Sequence, residues 1–168
     1  MIPGAPARKV LPTMNQGEKS EETVNILCVG RIHPRKGQDK LINAVNQLPE
    51  RLRKKTQLCF VGQVVDQSFY RSLEQDAKRS GCEIMFLGEL SDGELREQYE
   101  RADVFGLTSM PRKDSIEGFG FVYLEASSHG LPILAHRIGG VEDAVRHCLL
   151  YTSPSPRDQC LSRMPSSA

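Results

Sequence analysis

Short apolar runs alternate with amphipathic stretches along most of the chain. Each run is mostly apolar and rich in β-branched residues, which is typical of strands that are buried on both faces of a sheet. The runs with this character are Val24 to Val29, Gln57 to Val61, Glu83 to Phe86, Val104 to Thr108 and Pro132 to Ala135. We therefore predict five short and largely buried strands.

The stretches between these strands carry apolar residues at helical spacing, and Ser91 with Glu94 forms a capping box for one of them. Tyr123 and Phe121 are interpreted as core residues of another. Strands that alternate with helices predict an α/β fold with an open, doubly wound parallel sheet of the Rossmann-like kind. The helices are predicted around Leu41 to Leu48, Phe69 to Ala77, Ser91 to Tyr99, Phe121 to Ser128 and Val141 to His147.

The two ends of the chain lack this periodicity. Residues 1–23 contain proline, glycine and a charged stretch, and we interpret them as an irregular lead-in. From Cys148 onward the chain is dense in serine and proline. Cys148 to Asp158 and Ser162 to Ala168 resemble the in-frame translation of a sequencing adaptor around a variable index, so we exclude residues 148–168 from the fold. One domain over residues 24–147 is predicted.

Composition agrees with one globular domain and excludes several classes of function. The 168 residues are 39% hydrophobic and 26% charged, and the formal net charge is +1. So small a charge argues against nucleic acid as a partner, and any anion site must be local. Five cysteines without paired spacing indicate a reducing, cytoplasmic setting rather than a disulfide framework or a metal site. Cys28 and Cys59 are interpreted as buried strand residues.

The first candidate site is the loop from Gly30 to Gly37, which follows the first predicted strand. Ligands of parallel sheets bind beyond the carboxyl ends of the strands. Glycine allows close approach to the backbone, while Arg31 offers phosphate a bidentate fork and Lys36 a point charge. The alternative is a solvated basic turn, because the spacing matches neither the Walker loop nor G-x-G-x-x-G. His33 is interpreted as shaping this loop rather than as catalytic.

The second candidate site is the segment from Glu117 to Glu125, after the fourth predicted strand. Gly118 and Gly120 let backbone N–H groups face a diphosphate at the amino end of the following helix. Each glutamate could accept hydrogen bonds from vicinal hydroxyls of a sugar or a ribose. Alternatively Glu117 caps the helix and Glu125 lies on its exposed face, although its apolar sequence neighbours favour a buried carboxylate with a partner. Spacing alone leaves both interpretations open.

The ordered combination of these motifs resembles the carboxyl-terminal, nucleotide-sugar-binding domain of family 4 glycosyltransferases, which have the GT-B fold. The resemblance covers Val24 to His147. The matching segments are Gly30-Arg31, Lys36-Gly37, Gly62, Phe86 to Gly88, Ala102 to Val104, Glu117 with Glu125, and Gly139 to Glu142.

This resemblance implies a retaining transferase that uses a nucleoside-diphosphate sugar as donor and needs neither a metal nor a cofactor. Arg31 and Lys36 would hold the diphosphate, Glu117 would bind the sugar hydroxyls, and Glu125 would bind the ribose. Arg31, Lys36 and Glu117 would form the catalytic set. The other donor-binding residues that the resemblance implies are Gly30, Gly62, Leu87, Gly118, Phe119 and Gly120.

The resemblance also implies that the chain is a fragment. In this family an amino-terminal domain binds the glycan or lipid-linked acceptor, and nothing in the sequence matches it, so we expect no useful transfer by this chain alone. The alternatives are a non-catalytic nucleotide-binding or interaction module and a sugar-nucleotide epimerase of the GT-B type. The donor base and sugar, the oligomeric state and any membrane association are left open.

Overall fold

The computed structural model describes residues 23–110 and 121–136, together with the backbone of residues 151–153. Its strands are β1 Val24–Val29, β2 Thr56–Val61, β3 Glu83–Gly88, β4 Val104–Leu107, β5 Ile133–His136 and β6 Tyr151–Ser153. Its helices are α1 Gln38–Asn46, α2 Glu50–Arg53, α3 Gln67–Arg79, α4 Asp92–Arg101 and α5 Phe121–Ser128. A 3-10 turn covers Pro34–Lys36.

The strands form one parallel sheet in the order β3-β2-β1-β4-β5-β6. The chain moves outward from β1 to β3 and then crosses to β4 on the other side of β1, so the sheet is doubly wound. Right-handed crossovers then place α1 and α3 on one face and α4 and α5 on the other. The predicted α/β, Rossmann-like parallel sheet is confirmed.

The predicted strands all form, and their ends shift by at most two residues. The largest shift is in β3, which continues past Phe86 to Gly88. β1 and β2 occupy the middle of the core, where Leu27 and Cys28 are each 1% exposed. Cys28 and Cys59 are buried on these strands, as predicted. Burial raises the pKa of both thiols to about 12, so neither is a nucleophile near neutral pH.

Four of the predicted helices form as α1, α3, α4 and α5, and the fifth lies outside the described residues. The capping box of α4 is confirmed, because the Ser91 backbone N–H donates to Glu94 Oε2 at 2.8 Å and the Ser91 hydroxyl oxygen accepts from the Glu94 N–H. The short helix α2 and the 3-10 turn were not predicted, since neither is long enough to show a periodic apolar face.

Tyr123 is a core residue, as predicted, and its hydroxyl donates to the Leu107 carbonyl at 3.1 Å. The prediction that Phe121 also belongs to the core is wrong, because its side chain is 73% exposed. Phe121 and Tyr123 are two positions apart, and residues with this spacing point about 200° away from each other around the helix axis. The two aromatic rings therefore cannot lie on the same face. The face of α5 that packs on the sheet is the one with Tyr123 and Ala126.

β6 lies within residues 148–168, which were predicted to lie outside the fold. Its backbone pairs in parallel with β5, with Leu134 opposite Tyr151 and His136 opposite Ser153. Such pairing uses backbone groups that every non-proline residue carries, so it does not decide the origin of residues 148–168, and the adaptor interpretation stays a prediction. Among the described residues, none of the helices combines the length and the apolar character that a membrane crossing requires.

Candidate anion-binding site

The loop between β1 and α1 lies at the middle of the carboxyl edge of the sheet. β1 has β2 on one side and β4 on the other, so this loop is at the point where the strand order reverses. It is held against the β2 side by two backbone hydrogen bonds, from Gly30 N–H to the Val61 carbonyl and from Ile32 N–H to the Gln63 carbonyl, both at 2.8 Å.

Gly62 forms the contact between the loops that follow β1 and β2. A Cβ atom at Gly62 would lie 2.3 Å from the Gly30 carbonyl oxygen, so only glycine allows these two backbones to approach this closely. The Gly62 N–H also donates to the carbonyl of Gly88 at 2.7 Å, which joins the loop after β3 to the same floor. Gly30 and Gly62 therefore lie against each other at the carboxyl edge of the sheet.

On its other side the loop is clamped to the end of β4. Gly37 has a φ of +68°, and a Cβ atom there would lie 2.0 Å from the Thr108 carbonyl oxygen. The Thr108 hydroxyl donates to the Gly37 carbonyl at 2.7 Å, and the Met110 N–H donates to the Arg35 carbonyl at 2.8 Å. The loop is thus a rigid bridge between β2 and β4, which is the kind of support that a precise binding site needs.

The inside of the loop is organised by His33 and Gln38. His33 caps the 3-10 turn, and its Nδ1 accepts a hydrogen bond from the Arg35 N–H at 3.1 Å. This geometry supports the interpretation of His33 as a loop-shaping residue. The buried Gln38 side chain donates from Nε2 to the Arg31 carbonyl at 2.9 Å, so the backbone that carries Arg31 is fixed from beneath.

A cavity of about 140 Å³ opens above this loop. Two of the predicted site residues, Arg31 and Lys36, line this cavity. The Cδ and Cε atoms of Lys36 pass close to Gly30, at 3.8 Å from the position that a Cβ atom of residue 30 would take. None of its described lining residues is acidic, so the cavity suits an anion. The lining residues are Arg31, His33, Arg35, Lys36 and Val65.

The remaining predicted site residues lie away from the described lining of the cavity or outside the described residues. Leu87 lies near the end of β3 with a buried side chain and does not line the cavity. The described residues do not include Glu117, Gly118, Phe119 and Gly120, or the matching segment Gly139 to Glu142.

Glu125 is an exposed residue of α5, so the expectation of an apolar setting is wrong for its side chain. Its neighbours Tyr123 and Ala126 face the core, while Glu125 and Leu124 face outward. It does have a partner, because the Tyr99 hydroxyl of α4 donates to Glu125 Oε2 at 3.0 Å. Glu125 is not among the described residues that line the cavity.

Sequence reasoning missed Tyr99, which links α4 to α5. Its ring stacks on His129 with centroids 5.1 Å apart and on Phe105 at 6.2 Å. Burial, and then the charge of Glu125, raise the pKa of Tyr99, so its hydroxyl remains a hydrogen-bond donor at neutral pH. No local signal identifies this pair, because the two residues are 26 positions apart in the chain.

Known proteins resemble this chain in sequence. A GDP-mannose-dependent monoacylated alpha-(1-6)-phosphatidylinositol monomannoside mannosyltransferase of Corynebacterium glutamicum is 35% identical over 128 residues, which are 75% of this chain and 32% of the relative. The sulfoquinovosyl transferase SQD2 of Arabidopsis thaliana is 33% identical over 132 residues, which are 79% of this chain and 22% of that protein. The chain thus spans about a third or less of the length of these relatives.

A solved structure shows the same fold. The Anabaena protein HepE in complex with UDP-glucose superposes with a TM-score of 0.65 at 27% identity, over 83% of this chain and 37% of HepE. The model of the family described as glycosyl transferases group 1 matches residues 12–155, which include every strand of the sheet. The chain therefore belongs to the group 1 glycosyl transferases.

Proposed function

We propose that this chain is the donor-binding part of a retaining, family 4 glycosyltransferase, and that the cavity above the β1–α1 loop holds the diphosphate of a nucleoside-diphosphate sugar. One observation carries the proposal: Arg31 and Lys36 line a common cavity beside a loop that backbone hydrogen bonds fix at the centre of the sheet edge. Family membership supports it, because the same segment of chain matches the group 1 family model.

The chemistry of the proposed reaction explains why two cations are needed there. When the bond between the sugar and the diphosphate breaks, negative charge develops on the departing phosphate oxygen. Arg31 can stabilise this charge through two parallel hydrogen bonds, and Lys36 can stabilise it as a point charge. The clamped loop holds the backbone of both residues in place before the reaction. In this proposal the charge is stabilised by the protein itself, without a metal or a cofactor.

The remaining roles follow the resemblance. Glu117 would bind the sugar hydroxyls, and Glu125 the ribose hydroxyls. Gly62 would form the floor beside the phosphates and Leu87 would lie near the base. The backbone N–H groups of Gly118, Phe119 and Gly120 would contact sugar and phosphate.

The donor is proposed to be a hexose linked to a nucleoside diphosphate. The name of the Corynebacterium relative specifies GDP-mannose, whereas HepE was solved with UDP-glucose, so guanine and uracil donors are the first to compare. The acceptor in this proposal is a glycan or a lipid-linked acceptor that binds outside the described residues. We place the reaction in the cytoplasm, in keeping with the cysteine content.

Calorimetric titration of the 168-residue chain with UDP, GDP and ADP tests the proposal. We expect one nucleotide to bind, and Lys36→Ala to weaken its binding by about tenfold or more, because a charge-assisted hydrogen bond is lost. Lys40→Ala is the matched control, since Lys40 is exposed on α1, is paired with Asp39 and does not line the cavity.

Two results would count against the proposal. If the folded chain binds none of the three nucleotides, the cavity is not a donor site, and an interaction module becomes the better interpretation. If Lys36→Ala and Lys40→Ala weaken binding equally, the nucleotide is held by general charge and not by this cavity.

A further inference from the structure

The hydrogen bond between Tyr99 and Glu125 joins two helices on one face of the sheet. The Tyr99 hydroxyl donates to Glu125 Oε2 at 3.0 Å, and the tyrosine is 3% exposed while the glutamate is exposed. In the part of the chain that the structure describes, Glu125 Oε1 makes no hydrogen bond. The pair therefore consists of a buried, fixed donor and a carboxylate with one oxygen still available.

The Cα–Cβ bonds of both residues tilt toward the carboxyl edge of the sheet. α4 and α5 each lead into a following parallel strand, so they run opposite to the strands and begin at that edge. The Cα–Cβ bonds of a helix tilt toward its amino end. Tyr99 and Glu125 thus tilt toward the edge that carries the cavity of Arg31 and Lys36.

Tyr99 is well suited to hold a partner in place. Its ring is packed between His129 and Phe105, so the position of its hydroxyl is set by the core and not by solvent. An exposed glutamate on a helix normally samples several rotamers, and ordering it on ligand binding costs side-chain entropy. A hydrogen bond from a fixed tyrosine reduces the number of rotamers before the ligand arrives.

We propose that Tyr99 is a positioning residue that orients the Glu125 carboxylate for the ribose hydroxyls of the donor nucleotide. This inference rests on the proposed function, because it takes Glu125 as the ribose-binding group. Tyr99 itself does not touch the ligand. It holds Oε2, so that Oε1 is presented to the vicinal hydroxyls.

The test compares a ribonucleotide with its 2′-deoxy counterpart in the 168-residue chain. The probes are UDP and dUDP, GDP and dGDP, or ADP and dADP, depending on which base the chain binds. We expect the chain to favour the ribonucleotide by about tenfold, since one hydrogen bond to a charged group is lost in the deoxy form. Tyr99→Phe keeps the ring packing, and we expect it to reduce this preference to about threefold or less.

Tyr70→Phe is the matched control. Tyr70 lies one helical turn from a glutamate, Glu74, but on α3 at the opposite face of the sheet, so the same atom is removed without change near α5. A general loss of stability would not change the ribose preference, because the preference is a ratio of two affinities of the same folded protein. Tyr70→Phe should keep the full preference.

The results that would refute the role of Tyr99 differ from those that would refute the ribose assignment of Glu125. If Glu125→Gln abolishes the ribose preference and Tyr99→Phe leaves it at the value of the unmodified chain, the positioning role is refuted and the proposed function stands. If the preference survives Glu125→Gln, or if no nucleotide binds, the ribose assignment of Glu125 is refuted and the role of Tyr99 falls with it.

Discussion

Gly37 and Gly88 have the same backbone conformation in different surroundings. Both have φ near +68°, but a Cβ atom at Gly37 would lie 2.0 Å from the Thr108 carbonyl oxygen, whereas one at Gly88 would meet nothing within 4 Å. We expect Gly88→Ala to lower the free energy of unfolding by about 1 kcal/mol through backbone strain alone. Gly37→Ala should lower it by about 2 kcal/mol more, because it also overlaps the end of β4.

Urea denaturation of the two variants measures this difference. Since the Gly37 contact holds the β1–α1 loop, Gly37→Ala should also weaken nucleotide binding. Equal losses of stability would mean that the loop and β4 are not in close contact.

At the scale of residues, the sequence predicted which residues of one loop lie together better than it predicted contacts between distant segments. Glycine and basic residues in one loop after a strand were enough to place Arg31 and Lys36 together, because a short loop keeps its residues near one another. The sequence did not predict that Gly37 lies against Thr108 or that Tyr99 bonds Glu125. The residues of the first pair are 71 positions apart in the chain, and those of the second pair are 26 positions apart. Hydrophobic periodicity describes only local order, so it does not predict such contacts.

The start of α3 depends on the charge of one side chain, which makes the stability of this helix sensitive to pH. Asp66 caps the helix by accepting from the Phe69 N–H at 2.9 Å and from the Ser68 hydroxyl at 2.7 Å. These hydrogen bonds, the backbone one first, lower the pKa of Asp66 below its usual range. The stability that this carboxylate contributes is fully present above its unfolded pKa of about 3.9 and is lost as the pH falls through the lower folded pKa.

Asp66→Asn separates this effect from the titration of other carboxyl groups. Asparagine is an equally good helix cap but does not titrate. Melting temperatures measured from about pH 5 to about pH 2.5 should therefore fall further for the unmodified chain than for Asp66→Asn. A parallel decline of the two proteins would show that the capping carboxylate is not stabilised in the folded state.

At the scale of elements, the strands and the longer helices could be predicted because each has an apolar pattern of its own. The ends of strands were less certain: β3 gains Gly88 because the loops at the sheet edge are joined by backbone hydrogen bonds, such as Gly62 N–H to Gly88 carbonyl. The short helix α2 was missed, since four residues are too few to show a repeating face.

At the scale of the whole molecule, the topology explains where the site lies. β1 is flanked by β2 and β4, and the loop after β1 is fixed to the ends of both, so Arg31 and Lys36 are held at the centre of the sheet edge. The alternation of strands and helices predicts a parallel sheet but does not predict the order of its strands. Which strand lies next to β1 on each side is decided by packing, which local sequence patterns do not encode.

The central claim is that the cavity above the β1–α1 loop binds the diphosphate of a nucleotide. The most direct test is to compare the affinity of the nucleoside diphosphate that binds with that of its monophosphate, in the unmodified chain and in Lys36→Ala. If Lys36 binds the second phosphate, we predict that Lys36→Ala weakens diphosphate binding by about tenfold and weakens monophosphate binding much less, because only the diphosphate has the group that the lysine would contact. An equal effect of Lys36→Ala on both nucleotides would contradict the claim.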